Sequence, residues 1–473
     1  MVLKGWISLN LIKESFIYKI FVIINDFFKQ LFQKSTLIQG FFKPKDTKQL
    51  EDSIIYKIIY KVIDFIRLIF KKLKLDSILE GSIFTKPKIW LTVVVAMAPF
   101  APTMVVLAMV LFVAFTLLLK IAIEPDFKLK LFKTNIWVLA FIIVVGFSAI
   151  ASLAMEEAIK IAMLSIAFIF FYFVWINTVE TKSEMKFYLS VFVIAGVISA
   201  AYGLYQYFFG DIYSQAWLDD EMFEEIKMRV YSTFSNPNVF GEYLLLVIPF
   251  SAMLFVDAKK LSHKIIWLGA TGILVLSLIL TFSRGCWLGL IFSCFILAIL
   301  FDKRLIWLGV FGLILAPFIL PEAILSRFLS IGNMEDTSTS YRVYIWLGTI
   351  AMLKDYFFCG IGLGTTSFNT IYPLYAYSEV VAPHSHSLYL QLFVEYGLVG
   401  FVVFCGIIYN YYKETLIEYK NNKKNYLNLA AISAMAGFLL QSATDYTWYN
   451  YRVVLIFWIV IAIGISNTKL KEV

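Results

Sequence analysis

Charged residues are scarce in this sequence. Only 16% of its 473 residues are Asp, Glu, Lys or Arg, whereas soluble domains usually carry roughly 25%. Hydrophobic residues make up 60%, and segments 137–153 and 267–280 hold no charge at all. Such runs approach the length of helix that crosses the hydrocarbon of a bilayer. The composition therefore excludes an ordinary soluble domain and predicts an all-α, polytopic transmembrane helical bundle.

Cysteine and histidine are also rare. The four cysteines, Cys286, Cys294, Cys359 and Cys405, form no C-x-x-C pair, which argues against a zinc site or a disulfide framework. Two of the three histidines lie two residues apart in APHSHSLYLQL. They are possible metal ligands, but no third His or Cys is expected beside them. We therefore predict neither a metal nor a cofactor.

The basic excess lies at the N-terminus. Residues 1–88 hold 16 Lys and Arg against 8 Asp and Glu, whereas the rest of the chain is balanced. These cations are interleaved with Ile, Phe and Leu, so we interpret residues 1–87 as a basic amphipathic segment on anionic membrane lipid. A small regulatory domain or a partly disordered tail remain alternatives. The pattern does not favour a nucleic-acid partner.

Hydropathy predicts about twelve membrane spans between residues 88 and 467. The predicted spans are 88–102, 103–121, 134–154, 158–178, 187–209, 238–256, 263–281, 284–301, 304–320, 387–411, 427–445 and 450–467. Pro99 and Pro102 lie between the first two, which form either a tight hairpin or one broken helix. The expected count is therefore eleven or twelve.

The loops between these spans alternate in charge. Every second loop is rich in Lys, so the positive-inside rule places both termini, including the tail 468–473, in the cytoplasm. Two of the opposite loops are long, the acidic residues 210–237 and residues 321–386 before the tenth span. The second is long enough to indicate a function, and the spacing of apolar residues in 341–356 predicts a short amphipathic helix.

The polar residues that suit chemistry gather on the predicted outer face. Arginine presents a planar fork that grips two phosphate oxygens, and histidine exchanges a proton near neutral pH. Asparagine can cap a helix or bond sugar hydroxyls. Singly, each arginine is also explained as a snorkelling or salt-bridged side chain. The candidate site residues are Arg229, Arg284, Arg342, Asn236, Asn238, His384 and His386.

Three stretches that contain most of these residues resemble the O-antigen ligase family, which includes O-antigen polymerases and related membrane glycosyltransferases. They are RVYSTFSNPNVFGEYL at 229–244, the S-R-G at 283–285, and a His motif of the form H-[NSQ]-x9-G-x2-G-[TV]. In the last, His386 and Ser387 precede Gly397 and Gly400, and Phe401 replaces the usual Thr or Val. The resemblance spans residues 88–467.

The resemblance implies transfer of a glycan from an undecaprenyl-pyrophosphate carrier to an acceptor hydroxyl, with inversion and without a nucleotide sugar. Arg229 and Arg284 would bind the pyrophosphate, Arg342 would be a further cation near it, and His386 would be the base. The reaction would take place at the outer face of the cytoplasmic membrane. The acceptor, whether glycan, lipid, wall polymer or protein, is not determined, nor is the choice between ligase and polymerase.

Two other classes of protein fit parts of the sequence. A transporter or flippase of lipid-linked oligosaccharide would also have about a dozen helices, but its charges are expected near the middle of the membrane. A receptor or assembly scaffold would explain the long loop but not the paired histidines beside several arginines. The position of the cations at one face favours an enzyme.

Overall fold

The computed structural model describes residues 53–210, 225–226 and 228–470, and this part of the chain is helical with no β-strand. The all-α prediction is thus confirmed. Three predicted regions fall partly outside the described residues: residues 1–52 of the N-terminal segment, most of the acidic loop, and the last three residues of the tail.

The described residues form seventeen α-helices. In chain order they are α1 Ile54–Lys72, α2 Leu75–Leu79, α3 Pro87–Met97, α4 Thr103–Ile123, α5 Thr134–Ile150, α6 Met155–Thr178, α7 Lys182–Phe209, α8 Pro237–Asp257, α9 Leu261–Ile279, α10 Arg284–Leu300, α11 Arg304–Ile319, α12 Glu322–Leu329, α13 Thr337–Asp355, α14 Thr365–Ile371, α15 Leu388–Asn421, α16 Tyr426–Gln441 and α17 Tyr451–Ser466. Short 3-10 turns lie at Ile83–Thr85, Ser232–Phe234, Tyr372–Leu374 and Tyr377–Glu379.

An apolar helix lies at each predicted span. Within the described residues, six are long and apolar enough to cross a membrane, namely α4, α6, α7, α8, α9 and α15, and six more are shorter. Helices α3 and α4 pack against each other on either side of residues 98–102, so the proline pair makes a hairpin. With 11 residues, α3 is only about 16 Å long. The chain is a membrane protein, and twelve as the number of spans stays a prediction.

Helices α8, α16 and α17 form the centre of the bundle. Every residue of α17 from Val453 to Ser466 is buried, and α16 packs against both α8 and α10. Small residues allow α16 to approach α10 closely, because a Cβ on Gly437 would lie 2.6 Å from the carbonyl oxygen of Gly289. Close backbone approach at glycine is a common way for membrane helices to pack.

The helices run in alternating directions, so that loops predicted to face the cytoplasm meet at one end. Lys120 lies 3.4 Å from Glu180, and the Lys469 ammonium donates to the carbonyl of Leu131. Asn467 near the C-terminus bonds Asn425 at the same end. The candidate site residues lie on loops and helix starts at the other end of these helices.

Part of the basic N-terminal segment is described, and it begins with α1. The hydroxyl of Ser53 caps this helix. Arg67 attaches it to the end of α4 by donating to the carbonyl oxygens of Ile121 and Glu124. Several apolar side chains of α1 stay exposed, Phe65 among them at 62%. Its place on a lipid surface stays a prediction.

Residues 321–386, predicted as a long loop, contain α12, α13 and α14. The helix predicted at 341–356 is confirmed as α13, but it is not amphipathic, because the apolar side chains of Leu347 and Ile350 stay exposed. Its buried face includes Ile345, Thr349 and Met352. This face packs in a small hydrophobic core of its own with Phe368 and Tyr372. The side of the membrane that this region faces stays a prediction.

Candidate active site

Three helices begin at one cavity of about 380 Å³. Helices α8, α10 and α13 contribute lining residues from their first two turns. The unpaired N–H groups of a helix start carry partial positive charge, so these helix ends favour an anion in the cavity. The polar lining residues are Arg229, Asn238, Ser283, Arg284, Arg327, Ser338, Thr339, Arg342, Gln441, Thr444 and Asp445.

Arg229 is held on one wall by a buried hydrogen-bond chain. Its Nε donates to the carbonyl oxygen of Thr281 over 2.8 Å, and its Nη2 donates to Oδ1 of Asn238 over 2.8 Å. The amide of Asn238 in turn donates to Oδ2 of Asp445 over 2.9 Å. The arginine, 6% exposed, therefore has a fixed position relative to the Asp445 carboxylate.

Asn236 caps α8, the helix whose first residues form part of this wall. Its side-chain oxygen accepts from the backbone N–H groups of Asn238 and Val239, and Pro237 follows at the first helical position, a combination typical of a helix start. Helix capping, one of the two roles considered for asparagine, is thus confirmed for Asn236. Asn236 does not line the cavity, and its amide donates to the hydroxyl of Tyr449.

Arg284 opens α10 and is paired with a buried carboxylate. Its two terminal nitrogens each lie 2.8 Å from an oxygen of Asp336, and Arg327 lies 3.2 Å from the same carboxylate. Asp336 also caps α13 by accepting from the N–H of Thr339. One buried acid therefore orients two guanidinium groups at the cavity.

Arg342 lies in the second turn of α13 and faces the opposite wall. Its Nη2 lies 3.6 Å from Oδ2 of Asp445, and its Nη1 donates to the carbonyl oxygen of Ser338. Four guanidinium groups thus line the described cavity, and two carboxylates pair with them: Asp445 in the lining and Asp336 behind Arg284 and Arg327. The cavity suits an anion with several oxygens.

His386 stands behind Asp445, with its Nδ1 3.3 Å from Oδ1 of that carboxylate. Its φ of +48° is unusual for a residue other than glycine. Bonds on both sides maintain this conformation, because Ser385 donates to the side chain of Gln391 and Trp346 donates to the carbonyl of His386. Uncommon backbone conformations of this kind cluster at functional sites.

His384 lies against His386 and away from the arginine cavity. The two imidazole rings are 4.2 Å apart between centroids, and Nδ1 of His384 accepts from the backbone N–H of His386. The ring of His384 also stacks on Tyr449. Burial, with the charge of His386 second, lowers the pKa of His384 to about 3, so this imidazole is neutral at physiological pH.

Burial and neighbouring charges determine the protonation states of Arg229 and Asp445. Burial, then the charges of Arg327 and Arg342, lower the pKa of Arg229 to about 9, so the guanidinium is still protonated at neutral pH. Burial alone would raise the pKa of Asp445, but the hydrogen bond with His386 and the charge of Arg342 outweigh it and hold that pKa below its ordinary value. Asp445 is therefore an ionised partner for the imidazole.

The structure brings together most of the predicted residues and adds others. Arg229, Asn238, Arg284 and Arg342 line the cavity, and His386 contacts it through Asp445. Sequence reasoning missed Arg327, Asp336 and Asp445. Asp445 lies at the end of a predicted span, where an ionisable residue signals function by default. The part of the chain that the structure describes has no cluster of three His, Cys, Asp or Glu placed to hold a metal ion.

Residues 269–405 match the model of the O-antigen ligase family. The resemblance inferred from the motifs is confirmed over this segment, and it indicates a membrane enzyme of ligase or polymerase type. A comparison with curated proteins finds no match.

The O-antigen ligase match contains Arg284, Arg342, His384 and His386. Arg229 and Asp445 lie outside it. Arg229 reaches the same cavity from the segment before α8, and Asp445 reaches it from the α16–α17 connection. The cavity therefore joins the matched segment to parts of the chain before and after it.

Replacing Asp336 by Asn should destabilise the protein. The side chain is 1% exposed and pairs with two arginines, and removing one partner of a buried ion pair costs about 3 kcal/mol or more. We expect a lower unfolding temperature of the purified protein in detergent. Asp126→Asn, at an exposed position, is the control; equal unfolding temperatures for the two variants would contradict the structural role.

Proposed function

We propose that the chain is a membrane glycosyltransferase that moves a glycan from an undecaprenyl-pyrophosphate carrier to an acceptor hydroxyl. The observation that carries the proposal is the cavity in which four arginines and three helix starts surround a space next to His386. A pyrophosphate linked at both ends carries a negative charge on each phosphate and offers the oxygens that guanidinium groups bind best.

The proposed reaction exchanges one bond at the anomeric carbon for another. The bond from that carbon to the pyrophosphate oxygen breaks, and the electron pair leaves with the pyrophosphate. A new bond forms to the acceptor oxygen on the opposite face of the sugar, which inverts the configuration. The acceptor proton goes to His386. No nucleotide sugar, metal or redox partner is required.

The arginines would act on the charge that develops in this reaction. As the glycosidic bond breaks, negative charge accumulates on the leaving pyrophosphate, and fixed guanidinium groups stabilise that charge without reorganising. Arg229 and Arg342 are held by neighbouring side chains and backbone before any substrate arrives. This fixed arrangement supports a catalytic role over simple surface attraction.

Asp445 would orient His386. A carboxylate at Nδ1 fixes the imidazole ring and leaves Nε2 to take a proton, as in other His-carboxylate pairs. Asn238 and Asn236 support this arrangement, the first through Asp445 and the second through Tyr449. His384, which is buried and neutral, would position His386 and exchange no proton itself.

We place the reaction on the outer face of the cytoplasmic membrane. The basic loops support this orientation, because they meet at the end of the helices away from the cavity. In the same orientation both termini would be cytoplasmic. The donor lipid would reach the cavity from the outer leaflet.

The first test is a transfer assay in reconstituted vesicles. It uses a lipid pyrophosphate-linked oligosaccharide as donor, with chelator present and nucleotide sugar absent. A ladder of longer glycans would identify a polymerase, and one block added to a separate acceptor would identify a ligase. Absence of transfer together with movement of the donor across the bilayer would replace the proposal by a flippase.

Arg284→Lys should weaken donor use although the positive charge is kept. Both terminal nitrogens of Arg284 bond Asp336, and lysine cannot reproduce this pair of bonds. The positive charge would therefore lose its fixed position toward the donor, and we expect about a tenfold rise in the KM for donor. Arg304→Lys, at the opposite end of the α10–α11 pair and exposed, is the matched control. A native KM in the Arg284 variant would limit that residue to a structural role with Asp336.

A further inference from the structure

Helix α13 contributes one stripe of side chains to the arginine cavity. Ser338, Arg342 and Trp346 are spaced four residues apart, and all three line the cavity. Residues at this spacing lie above one another on one face of a helix. Trp346 follows Arg342 by one turn and is half-buried. The indole therefore lies in the same wall as one of the four guanidinium groups.

The indole N–H of Trp346 also bonds the backbone of His386. Its Nε1 donates to the carbonyl oxygen of His386 over 3.2 Å. The N–H of His386 donates within its own segment, to Nδ1 of His384. Among the described residues, Trp346 therefore ties the His386 backbone to a different helix.

The backbone conformation of His386 depends on such a bond. Its φ of +48° lies in the left-handed region, which is unfavourable for a residue that carries a Cβ. Without a fixed donor for the carbonyl of His386, the following peptide plane would be free to turn toward commoner conformations, and the imidazole would move with it. A bond from a rigid neighbour therefore keeps the imidazole in place.

Helix α13 is held rigidly enough to provide this bond. Its start is fixed by Asp336, which caps the helix and pairs with two arginines. Its middle packs closely, because a Cβ on Gly348 would lie 2.8 Å from the carbonyl oxygen of Tyr375. Ile345, the residue before Trp346, is fully buried in the small core of this region. The indole therefore has a fixed position relative to the arginines.

The same helix contacts the imidazole ring directly. The ring of Tyr341 lies nearly perpendicular to that of His386, with 5.7 Å between the centroids. The ring of His384 lies 4.2 Å away, and the Asp445 carboxylate is at Nδ1. Tyr341 is 37% exposed, so its ring restrains the imidazole less than the hydrogen-bonded indole restrains the backbone. Trp346 is therefore the stronger of the two links from α13 to His386.

We propose that Trp346 is a positioning residue, which holds the base His386 at a fixed place relative to the arginine cavity. This inference rests on the proposed transferase function. The acceptor oxygen must meet the anomeric carbon opposite the leaving pyrophosphate while its proton meets the imidazole, so the base and the arginines need a fixed separation. One helix that carries Arg342 and holds His386 through Trp346 sets that separation.

Two other roles for Trp346 lead to different results. As a donor-binding residue it would offer its N–H to the substrate, but that N–H already has the carbonyl of His386 as its acceptor. As a packing residue it would act through its ring, and phenylalanine keeps an aromatic ring. Trp346→Phe removes the N–H alone among these polar contacts, so it separates the positioning role from both alternatives.

The first measurement is the kinetics of transfer by the full chain in reconstituted vesicles, with the lipid pyrophosphate-linked oligosaccharide as donor. Trp346→Phe should lower kcat by about 10- to 100-fold, the loss expected when a reacting group is slightly misplaced. The KM for donor should stay within about twofold of native. In the His386→Ala background the same change should have almost no further effect, because Trp346 acts through the imidazole.

The second measurement observes the imidazole without turnover. The chain has three histidines, so isotopic labelling of histidine gives few NMR signals from the full chain in nanodiscs. The signals of His386 are those that His386→Ala removes. Trp346→Phe should shift the ring signals of His386, because the ring moves relative to Asp445, and should leave those of His263 unchanged.

Trp90→Phe is the matched control. Trp90 is also half-buried, and its indole N–H donates to a backbone carbonyl, that of Ile83, over 3.1 Å. It lies at the opposite end of the bundle, where the neighbouring Lys88 pairs with Glu180. This variant should keep the native kcat and the native His386 signals.

The outcomes separate this inference from the proposed function. A native kcat in Trp346→Phe, a raised KM for donor with unchanged kcat, or a lowered unfolding temperature with unchanged His386 signals would overturn the positioning role. A full further loss of rate in the His386→Ala background would overturn it as well. If the native chain transfers no glycan but Trp346→Phe still shifts the His386 signals, the transferase proposal fails while the role of Trp346 in holding the imidazole stands.

Discussion

His386→Ala should lower the rate of glycan transfer by about 10²- to 10⁴-fold, the usual contribution of a general base. The variant lacks the group that would take the acceptor proton, whereas the arginines that would hold the pyrophosphate are untouched. Donor binding should therefore stay within about twofold of native. The measurement is the initial rate of transfer in reconstituted vesicles, together with direct binding of the lipid-linked donor.

His263→Ala is the control for this variant. His263 is exposed in the first turn of α9, at the end of the bundle away from the cavity, and its loss should leave transfer unchanged. Transfer by the His386 variant at a rate within a few-fold of native would exclude His386 as the base. Loss of donor binding as well would indicate a collapsed site.

The apolar runs predicted the helices well because burial in lipid requires an apolar segment whose backbone is bonded within itself. The apolar runs do not determine where a helix ends. The tenth predicted span ends at residue 411, whereas α15 continues to Asn421. Its last turns include Lys413, Glu414 and Lys420, which hydropathy excludes from a span although the helix continues through them.

The His motif predicted a functional segment, and the structure explains its glycine. Gly397 interrupts α15 with a φ of +65° and a ψ of −172°, a conformation that L side chains rarely adopt. A Cβ there would lie 2.1 Å from the carbonyl oxygen of Phe358. Glycine is therefore required at this break, but the break itself depends on packing that a single sequence does not display.

The cations of the site were predictable, and their counter-charges were not. Arg229, Arg284 and Arg342 stood out because ionisable residues are rare in this chain. Asp336 lies in a region of ordinary polarity, and its role depends on the meeting of α10, α12 and α13. Pairings across 52 residues between Arg284 and Asp336, or 59 between His386 and Asp445, leave no local pattern.

Asp445→Asn should reduce turnover by about 10⁴-fold, comparable to the effect of the same change in a Ser-His-Asp triad. The native carboxylate accepts from Asn238, from the backbone N–H of Tyr446 and interacts with His386 and Arg342. An amide offers one acceptor oxygen and turns a donor toward these groups, so the imidazole loses its fixed orientation. We expect kcat to fall while the KM for donor stays near native.

Comparing the effects of Asp445→Asn on kcat and on the KM for donor shows whether Asp445 orients the base or has only a structural role. If Asp445 merely stabilised the α16–α17 connection, its replacement would lower the unfolding temperature and raise the KM for donor, because Asn238 and Arg229 would shift with it. Asp355→Asn, at an exposed position at the end of α13, controls for loss of a carboxylate in general. Native kcat in Asp445→Asn would show that His386 needs no carboxylate partner, and the proposed acid-base pair would be wrong.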